Sequence, residues 1–223
     1  MNGRPGNNLL SWLRRDDSGM AMVEFALCLP FLVMGTMAGA ELTNFTTTKM
    51  RVSQLALQIA DNASRIGTGT VLSNKTISEK QINELLTGAN LQAGKLGLFA
   101  NGRIILSSLQ PGASANTYVV KWQRCKGAKN FTSSTYFTAG TTERNVVSNN
   151  PYNVTPPTDG AVMFVEISYT YQPLIGPRFQ PWSEIREIAA MTVRDNRDYT
   201  GGTNGIYNTE GATAASCSVF LGT

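Results

Sequence analysis

Glu24 is the residue whose setting most demands a chemical reason. It is the single charge within residues 20–40, an otherwise uncharged and mostly apolar run. A carboxylate in a membrane-length apolar helix costs on the order of 2.5–3.5 kcal/mol at mid-bilayer and less near the interface, so a cationic partner is expected. The preceding residues Ser18-Gly19-Met20 offer one. Hydrolysis after Gly19 would create an ammonium on Met20, with Glu24 as the fifth residue of the shortened chain, and opposite charges attract strongly at low dielectric. Enzymatic chemistries find less support. The 223 residues include no histidine, which removes Ser-His-Asp and Cys-His nucleophiles, imidazole acid-base work and His metal ligands. Glu166 reads as a solvated residue on the polar face of a strand, and no glycine pair sits in a strand-to-helix phosphate loop. The expectation is a non-enzymatic protein with no catalytic, cofactor-binding or metal site.

Positioning Glu24 requires the element around it. Charged residues make up 15% of the chain, against roughly 25% in an average soluble domain, and that deficit asks for a membrane segment. Residues 20–40 would span roughly 31 Å as a helix, enough to cross a bilayer core. Arg4, Arg14 and Arg15 precede them, so the positive-inside rule keeps the N-terminus cytoplasmic and sends the remainder outward. Two plainer readings compete. Ala38-Gly39-Ala40 has the small-x-small form of a signal-peptidase site, although the apolar run exceeds the usual core of about 7–15 residues. Alternatively Glu24 is hydrated at the interface and residues 25–40 span alone, at about 24 Å short for a bilayer. Pro30 inside the run is read as a mild kink, absorbed by neighbouring helices and local backbone adjustment.

Beyond the apolar run, Leu42, Phe45, Lys49, Val52, Leu55 or Ala56, Ile59, Ala63 and Ile66 recur at three- and four-residue steps, so one helix is expected from Met20 to Ile66. A second helix is expected with Thr76 as N-cap, Glu79 closing a capping box, Ile82, Leu85 and Leu86 as its apolar face, and Gly88 past its end. The period then changes to two. Residues 103–109 and 117–124 read as strands around the Pro111-Gly112 turn, residues 161–171 as a strand and residues 184–193 as a further strand, ambiguous with helix. Residues 126–159 and 196–223, rich in Gly, Thr, Ser and Asn, read as surface loops and a tail. The fold class is α+β, a long N-terminal helix on an antiparallel sheet. A net charge of +4 with scattered Lys and Arg gives no basic patch and no expectation of nucleic acid.

Cys28 lies in the apolar run and reads as a small apolar residue. Cys125 and Cys217 fall on the side expected to be oxidising, where a bridge would pin the tail to a strand end with about 2–4 kcal/mol of stabilisation; two free thiols are the alternative. Trp122, Tyr169, Tyr171 and Trp182 read as core or loop anchors. Asn44, Asn62, Asn74, Asn130 and Asn153 each begin an N-x-Ser/Thr triplet, a motif that chance supplies readily in an Asn- and Thr-rich chain.

The string Arg14-Arg15-Asp16-Asp17-Ser18-Gly19, then Val23-Glu24-Phe25-Ala26-Leu27 and Leu29-Pro30-Phe31-Leu32, resembles the class III signal of type IV pilins. More narrowly it resembles the TadE-like minor pilins, or pseudopilins, of the tight-adherence (Flp) pilus system. The likeness covers residues 14–42, with Met20 where the wider pilin group commonly has phenylalanine. It implies a pilin-like fold, a cytoplasmic leader at residues 1–19, a transmembrane segment at 20–42 and an extracytoplasmic α+β domain at 43–223 with a loop-rich tail. It further implies cleavage after Gly19 by a prepilin peptidase, Met20 as mature N-terminus, and Glu24, followed by Phe25, as its charge partner in assembly. The implied setting is the bacterial inner membrane, single-pass with the C-terminal domain periplasmic, and then an extracellular pilus serving adhesion. The implied partners are the prepilin peptidase, other major and minor pilins, the inner-membrane assembly platform and membrane lipid. A secreted or signal-anchored extracytoplasmic binding protein, adhesin-like and not processed as a pilin, is the alternative.

Overall fold

A computed structural model of the chain describes residues 19–70, 73–114, 117–131, 144–145, 154–176 and 183–220. The leader residues Arg4, Arg14, Arg15, Asp16, Asp17 and Ser18, together with Asn153, Trp182 and much of the 126–159 stretch, lie outside the described residues. The elements in chain order are α1 (Met20–Arg65), β1 (Ile77–Ser78), α2 (Glu79–Ala93), a 3-10 turn (Gly94–Leu96), α3 (Leu98–Asn101), β2 (Gly102–Pro111), β3 (Thr117–Lys126), β4 (Arg144–Asn145), β5 (Val162–Thr170), β6 (Glu184–Thr192) and β7 (Ile206–Tyr207).

α1 is one 46-residue helix that continues through Pro30, and it divides by burial into two halves. Its second half buries Val52, Leu55, Ala56, Ile59, Ala60 and Ala63, the apolar stripe that 3.6-residue periodicity creates. That stripe lies on β5 and β6, with α2 packed alongside. The sheet has the order β4-β3-β2-β5-β6, and every neighbouring pair is antiparallel. The layered arrangement buries the helix stripe against one sheet face, the general solution for such elements. Ile104, Leu106, Trp122, Met163, Val165, Ile167, Tyr169 and Tyr171 supply that face. The ambiguous segment at 184 is a strand.

Several local expectations are corrected. Along α1 the buried line toward the membrane end runs through Glu41, Phe45, Thr48 and Val52, whereas Leu42 and Lys49 are exposed. The N-cap of α2 is Ser78, which forms a reciprocal capping box with Gln81. Glu79 instead pairs with Arg124 of β3 through both carboxylate oxygens. Gly88 sits inside α2, which ends at Gly94. Glu166 is buried rather than solvated, because the second face of the sheet is also covered: Leu109, Tyr118, Val120, Val162 and Phe164 form a cluster there. A bulge opposite Ser108 and Leu109 explains how Val120 and Trp122, two apart in sequence, reach opposite faces.

The stretch after residue 195 has little regular structure yet is well fastened. β7 pairs in parallel with β1. Arg197 is buried and donates to the carbonyls of Ser64 and Ile66 at the end of α1, where a helix leaves unpaired carbonyls and carries partial negative charge. Burial lowers the pKa of this guanidinium. Asp198 accepts from the Thr200 and Gly201 amides and from the Tyr207 hydroxyl, bonds that hold its carboxyl well below the usual carboxylate range, the tyrosine contributing most.

Candidate assembly helix and its outer boundary

The first half of α1 is the candidate site. Every residue from Met20 to Ala40 is exposed, and α1 is long and apolar enough to cross a membrane. Hydroxyls that would otherwise be unpaired in such a segment fold back onto the helix. Thr36 donates to the Val33 carbonyl and Thr43 to the Gly39 carbonyl, with Thr46 and Thr47 repeating the pattern one turn on. These bonds satisfy the hydroxyls within the helix itself.

Gly19 occupies the N-cap of α1 with no side-chain cap. The first-turn amide groups therefore lack a capping side chain and present the positive end of the helix dipole. Glu24 lies four residues after Met20. Residues four apart are neighbours on a helix surface, so positions 20 and 24 share one face. Among the described residues no side chain donates to Glu24, and Phe25 beside it is exposed. An amine at the helix start would gain from the Glu24 carboxylate and be opposed by the positive end of the helix dipole. Among the described residues no group of three or more His, Cys, Asp or Glu side chains is placed to hold a metal ion.

The outer end of the apolar run carries a second carboxylate. Glu41 is only 7% exposed. Its Oε1 accepts from the Tyr171 hydroxyl at 2.8 Å, and its Oε2 accepts from the backbone N–H groups of Leu174 at 3.0 Å and Ile175 at 3.2 Å. Asn44 donates to the Tyr171 hydroxyl at 2.7 Å, and Phe45 meets the Tyr171 ring edge to face. Burial, reinforced by the bond to Glu41 and opposed by that from Asn44, pushes the Tyr171 hydroxyl up to about 12. This cluster joins the helix, where it leaves its apolar run, to the end of β5. Sequence reasoning missed Glu41, although its spacing from Phe45, Thr48 and Val52 is the helical spacing of the buried stripe.

Cys125 and Cys217 form a disulfide, and Cys28 is a free, exposed thiol on α1. Beside the bridge, Arg103 is 1% exposed and donates to the carbonyls of Gly127, Cys217 and Val219. Its guanidinium lies 4.1 Å from the Phe220 ring centroid, a cation-π contact, and burial lowers its pKa. Gly127 is required at this point, since a Cβ there would fall 2.3 Å from the Gly102 carbonyl oxygen and its φ is +128°. Trp122, Tyr169 and Tyr171 are buried, so they line no open platform.

These features define an α+β protein with an exposed, membrane-length N-terminal helix. In comparison with known proteins, the chain matches no protein-family model, no curated protein and no solved structure.

Proposed function

We propose that the chain is a structural minor pilin of the TadE-like kind, made as a single-pass inner-membrane precursor, cut after Gly19 and then assembled into a Flp-type pilus. The observation that carries the reading is α1 itself. It is one unbroken helix whose first half is exposed and apolar, with Glu24 one turn from a glycine-bounded start, and whose second half is anchored on an antiparallel sheet. A plain anchor has no use for a carboxylate at that position, whereas a new amine on Met20 would neutralise it. In this reading the sheet domain is periplasmic, lipid surrounds α1 before assembly, and the other pilins and the assembly platform take lipid's place afterwards. No step calls for catalysis or a cofactor.

The test is processing. A Gly19→Leu precursor should stay at full length in cells holding the prepilin peptidase, whereas Glu24→Ala should be cut at the normal site and fail to enter pili. N-terminal sequencing of the wild type should start at Met20. A start at Glu41 would establish the secreted binding protein instead, and an identical mature mass in a peptidase-deficient strain would remove the pilin reading altogether.

A further inference from the structure

The Glu41 cluster sets the height of a loop as well as joining two elements. Oε2 of Glu41 holds the amides of Leu174 and Ile175, so the loop of residues 172–176 stands level with Glu41 along α1. If residues 20–40 span the bilayer, their rise of roughly 31 Å uses the whole hydrocarbon thickness, and a headgroup layer of about 5–7 Å follows. Glu41 then marks the hydrocarbon edge, and the loop lies within the headgroup layer.

The loop is suited to that place in three respects. Residues 171–177, Tyr-Gln-Pro-Leu-Ile-Gly-Pro, carry no charge. Leu174 is 65% exposed, and Leu42 on the neighbouring turn of α1 is exposed too. The amides of Leu174 and Ile175, which would be costly to bring near lipid unpaired, are already bonded to the Glu41 carboxylate. That carboxylate, equally costly there, is covered by three donors.

We propose that the loop of residues 172–176, with Leu174 at its tip, rests in the outer headgroup layer of the membrane that α1 crosses. It is a second lipid contact that limits rotation and tilt of the sheet domain about the helix. The occupant of this surface is lipid, because the patch adjoins the exposed apolar run of α1 and the charge between them, Glu41, is buried under three donors. The inference rests on the membrane-spanning reading of α1 and is independent of cleavage after Gly19.

The test uses the full chain reconstituted in phosphatidylcholine vesicles whose acyl chains carry bromine near the headgroup in one preparation, to report on Leu174, and deep in the chain in another, to report on Val33. An environment-sensitive fluorophore is placed on Leu174→Cys in a Cys28→Ser background, with Val33→Cys at mid-span and Leu91→Cys as references. Leu91 is a still more exposed leucine, at 76%, on α2. The expected result is blue-shifted emission and bromine quenching at Leu174 and Val33, with water-like emission at Leu91. Water-like emission at Leu174 with quenching at Val33 overturns the loop contact and leaves the anchor standing. Blue-shifted emission at Leu174 without bromine quenching assigns the patch to a protein partner and overturns the lipid contact. An unquenched label at Val33 ends the spanning reading and this inference with it.

Discussion

Replacing Tyr171 by Phe removes one oxygen from the junction between α1 and the sheet and leaves the ring packing against Phe45 intact. The deleted hydroxyl is the donor to Glu41 Oε1 and the acceptor from Asn44. Tyr171 is 3% and Glu41 7% exposed, so water cannot readily replace the lost donor. A hydrogen bond to a charged group contributes about 1.5–3 kcal/mol, equivalent to a factor of roughly 10–150 in the unfolding equilibrium. The measurement is urea unfolding of the full chain in detergent micelles, with Tyr171→Phe, Glu41→Gln and the double variant forming a thermodynamic cycle. The coupling should fall in that range. It should also depend on pH. The tyrosine hydroxyl titrates near 10 when unfolded and at about 12 when folded, so the folded state holds its proton more tightly. The associated stability is complete below pH 10 and is lost as pH rises toward 12, and the gap between wild type and Tyr171→Phe should narrow over that window. A coupling below about 0.5 kcal/mol, within ordinary additivity error, would refute the claim that Glu41 is held by this hydroxyl.

Three further variants probe the parts of the domain that hold it on the helix. Cys217→Ser removes a bridge of sequence separation 92, for which chain entropy gives an upper value of about 4.7 kcal/mol and typical bridges about 2–4; limited proteolysis should then cut first within residues 211–220, and equal protection of that segment in wild type and variant would contradict the strapping role. Glu79→Ala strips the forked partner from Arg124, and since that guanidinium retains the Gln123 carbonyl the loss in urea unfolding should be about 2–4 kcal/mol, below the full cost of breaking a buried pair. Gly88→Ala should stabilise by about 0.5–1 kcal/mol, because the position is inside α2 and an added Cβ meets nothing within 4 Å; a lower melting temperature would show that the space beside Gly88 does not accept the methyl.

The elements that were legible in the sequence are those whose periodicity is long and uninterrupted. α1 ends at Arg65, one residue before the expected end at Ile66. β2, β3, β5 and β6 fall within a few residues of their alternating segments. What failed to show has a common physical cause, namely polar residues buried by partners distant in the chain. Glu41 was obscured because a carboxylate interrupts an apolar pattern, and its donors come from about 130 residues away. Glu79 sat in a capping-box spacing, yet Arg124, 45 residues on, holds its carboxylate. Glu166 looked polar by alternation, and only the cover on the second sheet face reveals it as buried. Arg103 and Arg197 carry no local signal at all, since their acceptors are backbone carbonyls of other segments.

The two carboxylates at the ends of the apolar segment, Glu24 and Glu41, are 17 residues and therefore about 25 Å apart along α1. Their surroundings differ in kind. Glu41 is enclosed by three donors from its own chain, a fixed arrangement that makes the helix exit and the sheet domain one body. Glu24 is open, with no donor among the described residues and a free helix start one turn away. A group left unsatisfied in a low-dielectric setting is costly unless a partner arrives, so the inner end is where an added charge, from a new amine or an adjacent helix, changes the energy of the segment most. The outer end would resist any change in docking between helix and sheet. If the chain assembles as the pilin reading proposes, rearrangement is confined to the first turns of α1, and a Glu24 variant should alter assembly while leaving the unfolding midpoint of the sheet domain where it was.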